Sequence, residues 1–118
     1  MTAADIISKC DRIKPNVYSQ SQKRDWLNKI ETDIRQYAVL YSKDEADLSF
    51  TNEENPTMYL PETESDIYVY YLISMIDLSN QEYKLYNNSA AYFNSTLQSW
   101  QRKHRREIKP ICDISISY

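Results

Sequence analysis

The side chains that could do chemistry in this sequence of 118 residues are few and stand far apart. The only histidine, His104, is surrounded by arginine and lysine, and those charges oppose the positive charge that a general base takes up. Asp77 and Glu82 are five residues apart, a spacing that does not place two carboxylates on one helix face. Cys10 and Cys112 are isolated thiols with no CxxC pairing or clustered histidine ligands. We therefore predict no catalytic, metal or cofactor site, and we do not expect an enzyme.

The composition excludes further classes of protein. Glycine is absent, which removes every glycine-rich phosphate loop and the dinucleotide fingerprint and leaves no easy route to positive φ. The net charge of −3 does not favour a dedicated nucleic-acid binder. No apolar run approaches the length of a membrane span, and the N-terminus lacks a signal-peptide pattern. With its isolated thiols, the chain is expected to be an intracellular protein of helices joined by polar loops.

One charged cluster could have a binding partner. Four cations occupy the region expected to end the last helix: Arg102, Lys103, Arg105 and Arg106. In a last helical turn, cations stabilise the helix by complementing its dipole, and this explanation needs no ligand. The alternative is a contact with the phosphates of DNA or with an acidic patch on a neighbouring subunit. Both explanations stay open on the sequence alone.

Two helices are indicated in the first third of the chain. Thr2 and Asp5 have the spacing of a capping box, which predicts a short helix over about 2–13. Ser19 offers a second helix start, and the apolar residues that follow it recur every three or four positions. That periodicity predicts an amphipathic helix over about 21–41.

The strongest pattern lies in the second half of the chain. Thr63 and Asp66 form a third capping-box spacing, and a stripe of largely apolar residues then recurs every three or four positions from 72 to 104. The phase continues through the polar residues 87–89, so we predict one helix over about 63–106, or two helices that meet there in register. One helix of about forty residues would be about 60 Å long. Because a domain of this size does not need such a length, part of the helix is expected to pack on other subunits.

Two segments lack helical periodicity. The absence of periodicity over residues 43–62 predicts a long middle loop, which either becomes ordered on assembly or is disordered. Four apolar residues in it could pack locally: Leu48, Phe50, Met58 and Leu60. Residues 111–118 alternate apolar and polar side chains, which predicts an extended tail that pairs with a neighbouring subunit or with the middle loop, or else a disordered tail. The predicted fold class is all-α: a small helical bundle with a long C-terminal helix, in a single domain over 1–118.

The aromatic residues are unusual in kind, with eleven tyrosines and only two phenylalanines. Tyrosine combines a large apolar ring with a polar tip, and it is common where one protein surface is buried against another. The tyrosines either edge a thin core or contact a partner, and composition does not separate these roles. The side chains that we predict to be core and subunit-interface anchors are Tyr68, Tyr71, Tyr83, Tyr86, Tyr92 and Trp100.

Three segments, together about half of the chain, resemble one protein family. The first is 11–18 with Lys23 and 26–31; the second is 68–72 with 76–78, Asn80 and Glu82; the third is 86–90 with Phe93 and Asn94. They occur in the same order as in small proteins encoded with the capsid and tail genes of long-tailed phages that infect Gram-positive bacteria. Those proteins resemble head–tail connector or adaptor subunits. None of the three segments is a catalytic motif.

The resemblance implies a subunit of a ring, usually twelve-fold, beneath the portal in the neck of the virion. The partners it implies are further copies of the chain, the portal protein and a tail-side connector or tail-completion protein, with packaged DNA passing through the ring. Assembly would take place in the cytoplasm of the bacterial host. The chain departs from the family in a shorter middle loop and in a more basic cluster at 102–106. The rival hypothesis is a small helical phage-borne regulator that binds nucleic acid or protein through that cluster.

Overall fold

The computed structural model describes residues 1–42 and 48–107, with side chains for residues 1–41 and 48–103. Its four α-helices are α1 (Ala3–Ile13), α2 (Gln20–Tyr37), α3 (Ser65–Ser79) and α4 (Tyr83–Glu107). Short helical turns of other types are Ala38–Ser42, Phe50–Asn52 and Glu62–Glu64. Across the described ranges there is no β-strand, and the predicted all-α bundle is confirmed. The extended tail predicted over 111–118 lies outside the described residues.

The two N-terminal helices begin at the caps that their sequences indicate. Thr2 Oγ1 accepts a hydrogen bond from the Asp5 amide at 3.4 Å, and Asp5 Oδ2 accepts one from the Thr2 amide at 3.0 Å, which completes a capping box. At the start of α2, Ser19 Oγ accepts from the Gln22 amide at 3.0 Å. A cap of this kind satisfies amides that the first helical turn leaves free and is worth about 1 kcal/mol.

The continuous helix predicted over about 63–106 is wrong. The chain reverses at residues 80–82, so α3 and α4 form a helical hairpin, and residues 87–89 lie inside α4. The apolar spacing misled because it continues in the sequence through residues 80–82, and spacing alone does not record a reversal of chain direction. Because no rod of about 60 Å forms, helix length gives no reason to expect contacts with other subunits.

The hairpin turn is a Schellman motif, in which two amides past the helix end bond back to its last carbonyls. The Glu82 amide donates to the Asp77 carbonyl, and the Gln81 amide donates to the Leu78 carbonyl. Gln81 has a φ of 61°, the left-handed conformation that glycine usually supplies in this motif. A chain without glycine thus still makes this turn, with a glutamine in the left-handed position.

The third predicted capping box, Thr63 with Asp66, does not form. Helix α3 begins at Ser65, directly after the helical turn Glu62–Glu64, and the residue before it makes no side-chain cap. Carboxylates of the preceding turn and of Asp66 surround this helix start instead. Negative charge there complements the helix dipole, which stabilises the first turn without a hydroxyl cap.

Helix α3 is the centre of the bundle. Residues 67–69 are consecutive and all buried, which occurs where a helix is covered on more than one side. Helix α4 packs antiparallel to α3, because Asp77 meets Ser89 near the turn and Tyr71 meets Phe93 farther from it. Helices α1 and α2 pack against α3 and against each other. Thus α3 lies between α4 and the α1–α2 pair, in a molecule measuring 49 × 34 × 20 Å.

A buried carboxylate, Glu31, joins α2, α3 and the middle segment. Its Oε2 accepts hydrogen bonds from Arg35 Nε at 3.0 Å and from the Tyr59 amide at 2.7 Å, while its Oε1 accepts from the Tyr68 hydroxyl. The Tyr68 oxygen in turn accepts from the Leu60 amide at 3.1 Å. Burial, together with the neighbouring Glu31 carboxylate, raises the pKa of Tyr68, so its phenol remains a donor. We call these residues the Glu31 network.

The described part of the middle segment packs onto the bundle. Phe50, Met58 and Leu60 are buried, as the local packing hypothesis expected, whereas Leu48 is exposed. Arg35 fastens this segment from α2: its Nη2 donates to the Thr57 carbonyl at 2.7 Å, and its guanidinium lies 4.4 Å from the centre of the Phe50 ring. Segment 48–62 is therefore held on the bundle by its few buried residues, and residues 43–47 lie outside the described part of the chain.

Candidate interaction surfaces

Interacting polar side chains hold the end of the bundle where α3 turns into α4. We call this group the hairpin lock: Lys14, Asp77, Asn80, Glu82 and Ser89. Lys14 Nζ lies 3.1 Å from Asp77 Oδ1 and 3.2 Å from Glu82 Oε1. Ser89 Oγ donates to Asp77 Oδ2 at 2.8 Å, and Asn80 Nδ2 donates to Glu82 Oε1 at 3.1 Å. The lock therefore joins the end of α1 to both helices of the hairpin.

Lys14 replaces a contact that usually accompanies the Schellman motif. The residues that correspond to Asp77 and Glu82 frequently touch through apolar side chains. Here both are carboxylates, and the Lys14 ammonium lies between them. Its bonds to Asp77 and Glu82 raise the pKa of Lys14, whereas bonds from Asn80 and Lys14 lower the pKa of Glu82. Lys14 and Glu82 are thus held in their charged forms at neutral pH.

The connection between α1 and α2 is fixed to the same end of the bundle. The buried Lys23 places its Nζ 2.8 Å from Asp11 Oδ1, and Asn16 Nδ2 donates to the same oxygen at 3.0 Å. Burial acts to raise the pKa of Asp11, but the bonds from Lys23 and Asn16 outweigh it and lower that pKa. Tyr18 then donates its hydroxyl to Asn80 Oδ1 at 2.7 Å, which links this connection to the hairpin lock.

An apolar groove opens beside the lock, and we call it the α1/α4 groove. It has a volume of about 280 Å³, and its apolar lining is Ile13, Tyr70, Ile73, Leu85 and Tyr92. The rings of Tyr70 and Tyr92 meet edge-on with their centres 4.4 Å apart. Because Ile13, Leu85 and Tyr92 are exposed, this groove presents apolar surface to the solvent.

A second groove, of about 350 Å³, lies between α2 and the second half of α4. The Tyr71 and Phe93 rings lie 5.1 Å apart in it, and those of Tyr37 and Trp100 lie 5.4 Å apart. Tyr37 also donates its hydroxyl to the Gln101 carbonyl at 3.1 Å. The first pair joins α4 to α3 and the second joins α4 to α2, so the aromatic residues of this α2/α4 groove chiefly make contacts within the subunit.

Two of the six predicted interface anchors belong to the core of the subunit. Tyr68 is fully buried in the Glu31 network, and Trp100 is buried against Tyr37. Other parts of the same subunit cover both side chains, so neither is free to meet a second copy. The interface prediction is corrected for Tyr68 and Trp100: they act as core anchors.

The other four predicted anchors are accessible to different extents. Tyr71 and Tyr86 are half-buried, and Tyr71 lines the α2/α4 groove. Tyr83 and Tyr92 are 59% and 44% exposed, at the start of α4 and in the α1/α4 groove respectively. These exposed rings are the ones that a partner can reach, and their interface role stays a prediction.

The basic cluster lies in the last turns of α4, as the sequence indicates. Arg102 and Lys103 are exposed, and Arg102 Nη2 donates to Ser99 Oγ at 3.4 Å. The side chains of Arg105 and Arg106 lie outside the described set. Contact of the cluster with DNA or with an acidic partner stays a prediction.

Sequence reasoning missed several exposed apolar side chains. Leu85 and Ile13 border the α1/α4 groove, and three more lie directly after α2: Val39, Leu40 and Tyr41, which we call the α2-end patch. Leu40 is 71% exposed. A signal was present for it, because Val39 and Leu40 fall outside the three-and-four spacing of the apolar stripe of α2.

The described residues include no group of three or more histidine, cysteine, aspartate or glutamate side chains that could hold a metal ion. Cys10 is a free thiol in the core, and burial raises its pKa to about 12. Cys112 lies outside the described residues. No helix in this part of the chain combines the length and apolar character needed to cross a membrane.

Comparisons of the chain with protein-family models, with curated proteins and with solved structures found no match. The resemblance to phage connector subunits therefore stands on three segments of sequence. The structure adds where those segments lie relative to one another. Residues of all three take part in the contacts of the hairpin lock.

Proposed function

We propose that the chain is a virion structural protein: a head–tail connector or adaptor subunit that forms a ring beneath the portal and joins the DNA-filled capsid to the tail. The observation that carries this proposal is that all three family-like segments supply residues to the hairpin lock. Lys14 comes from the first family-like segment, Asp77 and Glu82 from the second, and Ser89 from the third. The three segments thus supply one connected set of ion pairs and hydrogen bonds, which supports treating them together as one family-like pattern.

Further contacts between the first two segments support the same conclusion. Tyr18 bonds to Asn80, and Glu31 accepts from the Tyr68 hydroxyl in the core. The shared residues thus fix the relative positions of the helices. A ring subunit needs such rigidity, because each copy must present the same surfaces to its neighbours.

The surface also supports an assembly role. A cyclic ring uses a heterologous interface, in which one surface of each copy meets a different surface of the next. The exposed apolar side chains fall into two separate groups: the α1/α4 groove, with Leu85 and Tyr92, and the α2-end patch, with Leu40 and Tyr41. The groove lies beside the first half of α4, whereas the patch follows Tyr37, which packs on its second half.

The proposal implies a definite set of partners. They are further copies of the chain in a ring, twelve-fold in the family it resembles, the portal protein on the head side and a connector or tail-completion protein on the tail side. Packaged DNA would pass through the ring. The protein would be assembled in the cytoplasm of the bacterial host and would end in the neck of the virion.

A second candidate function is a small helical phage-borne regulator that binds nucleic acid or protein. The exposure of Arg102 and Lys103 at the end of α4 favours it. This function predicts DNA binding that weakens steeply with salt and whose salt dependence falls when the basic cluster is neutralised. An unchanged gel shift for the neutralised variant would remove this candidate.

The connector proposal is tested with the portal protein of the phage that encodes the chain. We expect the chain to co-sediment with portal rings and to add a ring of density to them in electron micrographs. Leu85→Asp, which places a charge in the α1/α4 groove, should weaken this binding, whereas Ser8→Asp, on the exposed side of α1, should not. A chain that stays monomeric alone and also with the portal protein contradicts the proposal.

A further inference from the structure

Charge is divided unevenly between α4 and the rest of the chain. Helix α4 holds five of the 14 basic residues but only one of the 17 acidic residues. Its net charge is therefore +4, whereas the remainder of the chain carries −7. More than half of the charged side chains that the structure describes are exposed, so this division of charge lies at the surface. It gives each molecule a positive side and a negative side.

The outer face of α4 turns away from α3 and carries no carboxylate from Tyr83 to Lys103. Its exposed side chains are amides, hydroxyls and cations, among them Asn87, Asn94, Gln98 and Arg102. Amides, ammonium groups and guanidinium groups donate hydrogen bonds, and such bonds are strongest when the acceptor is a carboxylate. The chemistry of this face therefore fits an acidic partner.

Exposed carboxylates lie on the other side of α3, where the middle segment crosses α1 and α2. Glu53 and Glu54 are exposed, and the Arg24 guanidinium holds both of their backbone carbonyls. The next residue, Asn55, accepts a hydrogen bond from the Ala4 amide at 2.9 Å. The backbone is thus anchored to both helices, and the two carboxylates are presented from a fixed position.

We propose that a second copy of this chain docks Glu53 and Glu54 against the outer face of α4, beside Arg102 and Lys103. The two surfaces lie on opposite sides of α3 and cannot meet within one molecule. Each copy can therefore offer α4 to one neighbour and its carboxylates to another, which is the head-to-tail contact of a cyclic assembly. This inference rests on the proposed connector function and names the surfaces that lie between copies.

Charge also decides between a second copy and nucleic acid as the occupant of this face. Duplex DNA would be attracted by α4 but repelled by the −7 carried by the rest of the molecule. In a second copy, the same negative charge attracts the cations of α4. The carboxylates that repel DNA are therefore the groups that complement α4.

The contact is tested by zero-length carbodiimide crosslinking of the full chain at low salt, in an equal mixture of ¹⁴N-labelled and ¹⁵N-labelled protein. The reagent joins an ammonium to a carboxylate that already touches it. We expect peptides in which Lys103 of one isotope is linked to Glu53 or Glu54 of the other. Links confined to single chains, or the absence of any link at these residues, would overturn the proposal.

Charge reversal supplies a second measurement, by sedimentation at several concentrations. Arg102→Glu with Lys103→Glu, or Glu53→Lys with Glu54→Lys, should each weaken self-association at least about tenfold, because like charges then face each other. Mixing the two variants should restore association, since every contact again joins opposite charges. The control for the Arg102→Glu and Lys103→Glu variant is Arg12→Glu with Lys29→Glu, the same change of net charge on exposed residues of α1 and α2, and it should leave association intact.

The outcomes separate this inference from the connector proposal. Variants that associate as tightly as the original chain refute the docking surfaces and leave a ring subunit possible through other contacts. A chain that is monomeric at every concentration at low salt also refutes the docking surfaces, and the portal experiment then decides the function independently. If the Arg102→Glu and Lys103→Glu variant loses duplex DNA binding while self-association is unchanged, the face binds nucleic acid and the proposal is wrong.

Discussion

Helices α3 and α4 differ in how their apolar residues are covered, although one spacing pattern runs through both. In α3, the consecutive residues 67–69 are all buried, so the helix is enclosed by its neighbours. In α4, the buried residues Phe93 and Trp100 lie on one side, and amides and cations occupy the other. Apolar spacing shows that one face of a helix packs on the core. It does not show whether the other faces of the helix are also buried.

The difference also assigns the two helices different roles. Replacing a buried residue of α3 disturbs contacts on several sides, because α3 packs against α1, α2 and α4. The outer face of α4 contacts no other described element of its own subunit, so changes there leave the fold intact and affect what the molecule binds. Stability should therefore depend on α3, and assembly on α4.

The largest expected effect compares one tyrosine from each helix. Tyr68→Ala removes a fully buried ring and the donor to Glu31, and it should lower the free energy of unfolding by about 3–5 kcal/mol. Tyr83→Ala removes a ring that is 59% exposed, and it should change stability by less than about 0.5 kcal/mol. Urea denaturation followed by circular dichroism measures both. Equal losses for the two variants would contradict the contrast between enclosed and one-sided helices.

A smaller effect compares two aspartates of α3 that both bond to α4. Asp77 is buried, accepts from Ser89 at 2.8 Å and pairs with Lys14, whereas the exposed Asp66 accepts from the Tyr92 hydroxyl at 3.4 Å. Asp77→Asn removes the charge that Lys14 needs in a partly buried site and should lower stability by about 2 kcal/mol.

The control for that comparison is Asp66→Asn, the same chemical change on the same helix. Its bond is long and exposed, so the loss should be no more than about 0.5 kcal/mol. The hairpin lock is also expected to make the Asp77→Asn loss depend on Lys14: in a background of Lys14→Met, the same change should have a smaller effect. Additive losses would show that the ion pair does not stabilise the hairpin.

The helices that could be predicted are those whose signals are local. Thr2 with Asp5 and Ser19 with Gln22 mark the starts of α1 and α2, and each cap bonds within four residues of itself. The end of α3 has no such local signal. Its left-handed residue is Gln81, and glycine or asparagine is the usual sequence marker for that conformation. The lock that holds the turn depends on Lys14, more than sixty residues away in sequence.

The interface residues were predicted from residue type, and that basis explains both the corrections and the omissions. Tyr68 and Trp100 are predicted as anchors because they are large aromatic residues, but contacts within the subunit bury both of them. Leu40 and Leu85 are not among the predicted anchors, which are all aromatic, yet both are exposed. Which side of a helix stays open depends on where the chain turns. The missed reversal at residues 80–82 explains the burial of Trp100 against Tyr37, whereas contacts with α2 and with the middle segment bury Tyr68.

The smallest effect concerns the junction between α3 and α4, where backbone strain and the entropy of the unfolded chain act in opposite directions. Gln81→Gly relieves the strain of a left-handed φ, which is worth about 1–2 kcal/mol for a residue with a Cβ. It also raises the conformational entropy of the unfolded chain, which lowers the free energy of unfolding by about 0.4–1 kcal/mol. Because the relief of strain outweighs the gain in unfolded-chain entropy, thermal unfolding should show a stabilisation of about 0.5–1 kcal/mol. Ser79→Gly, an exposed helical position two residues earlier, has no strain to relieve and should lose about 0.5 kcal/mol. If both variants lose stability, Gln81 is not in the left-handed conformation. The turn that ends α3 before α4 would then have another cause.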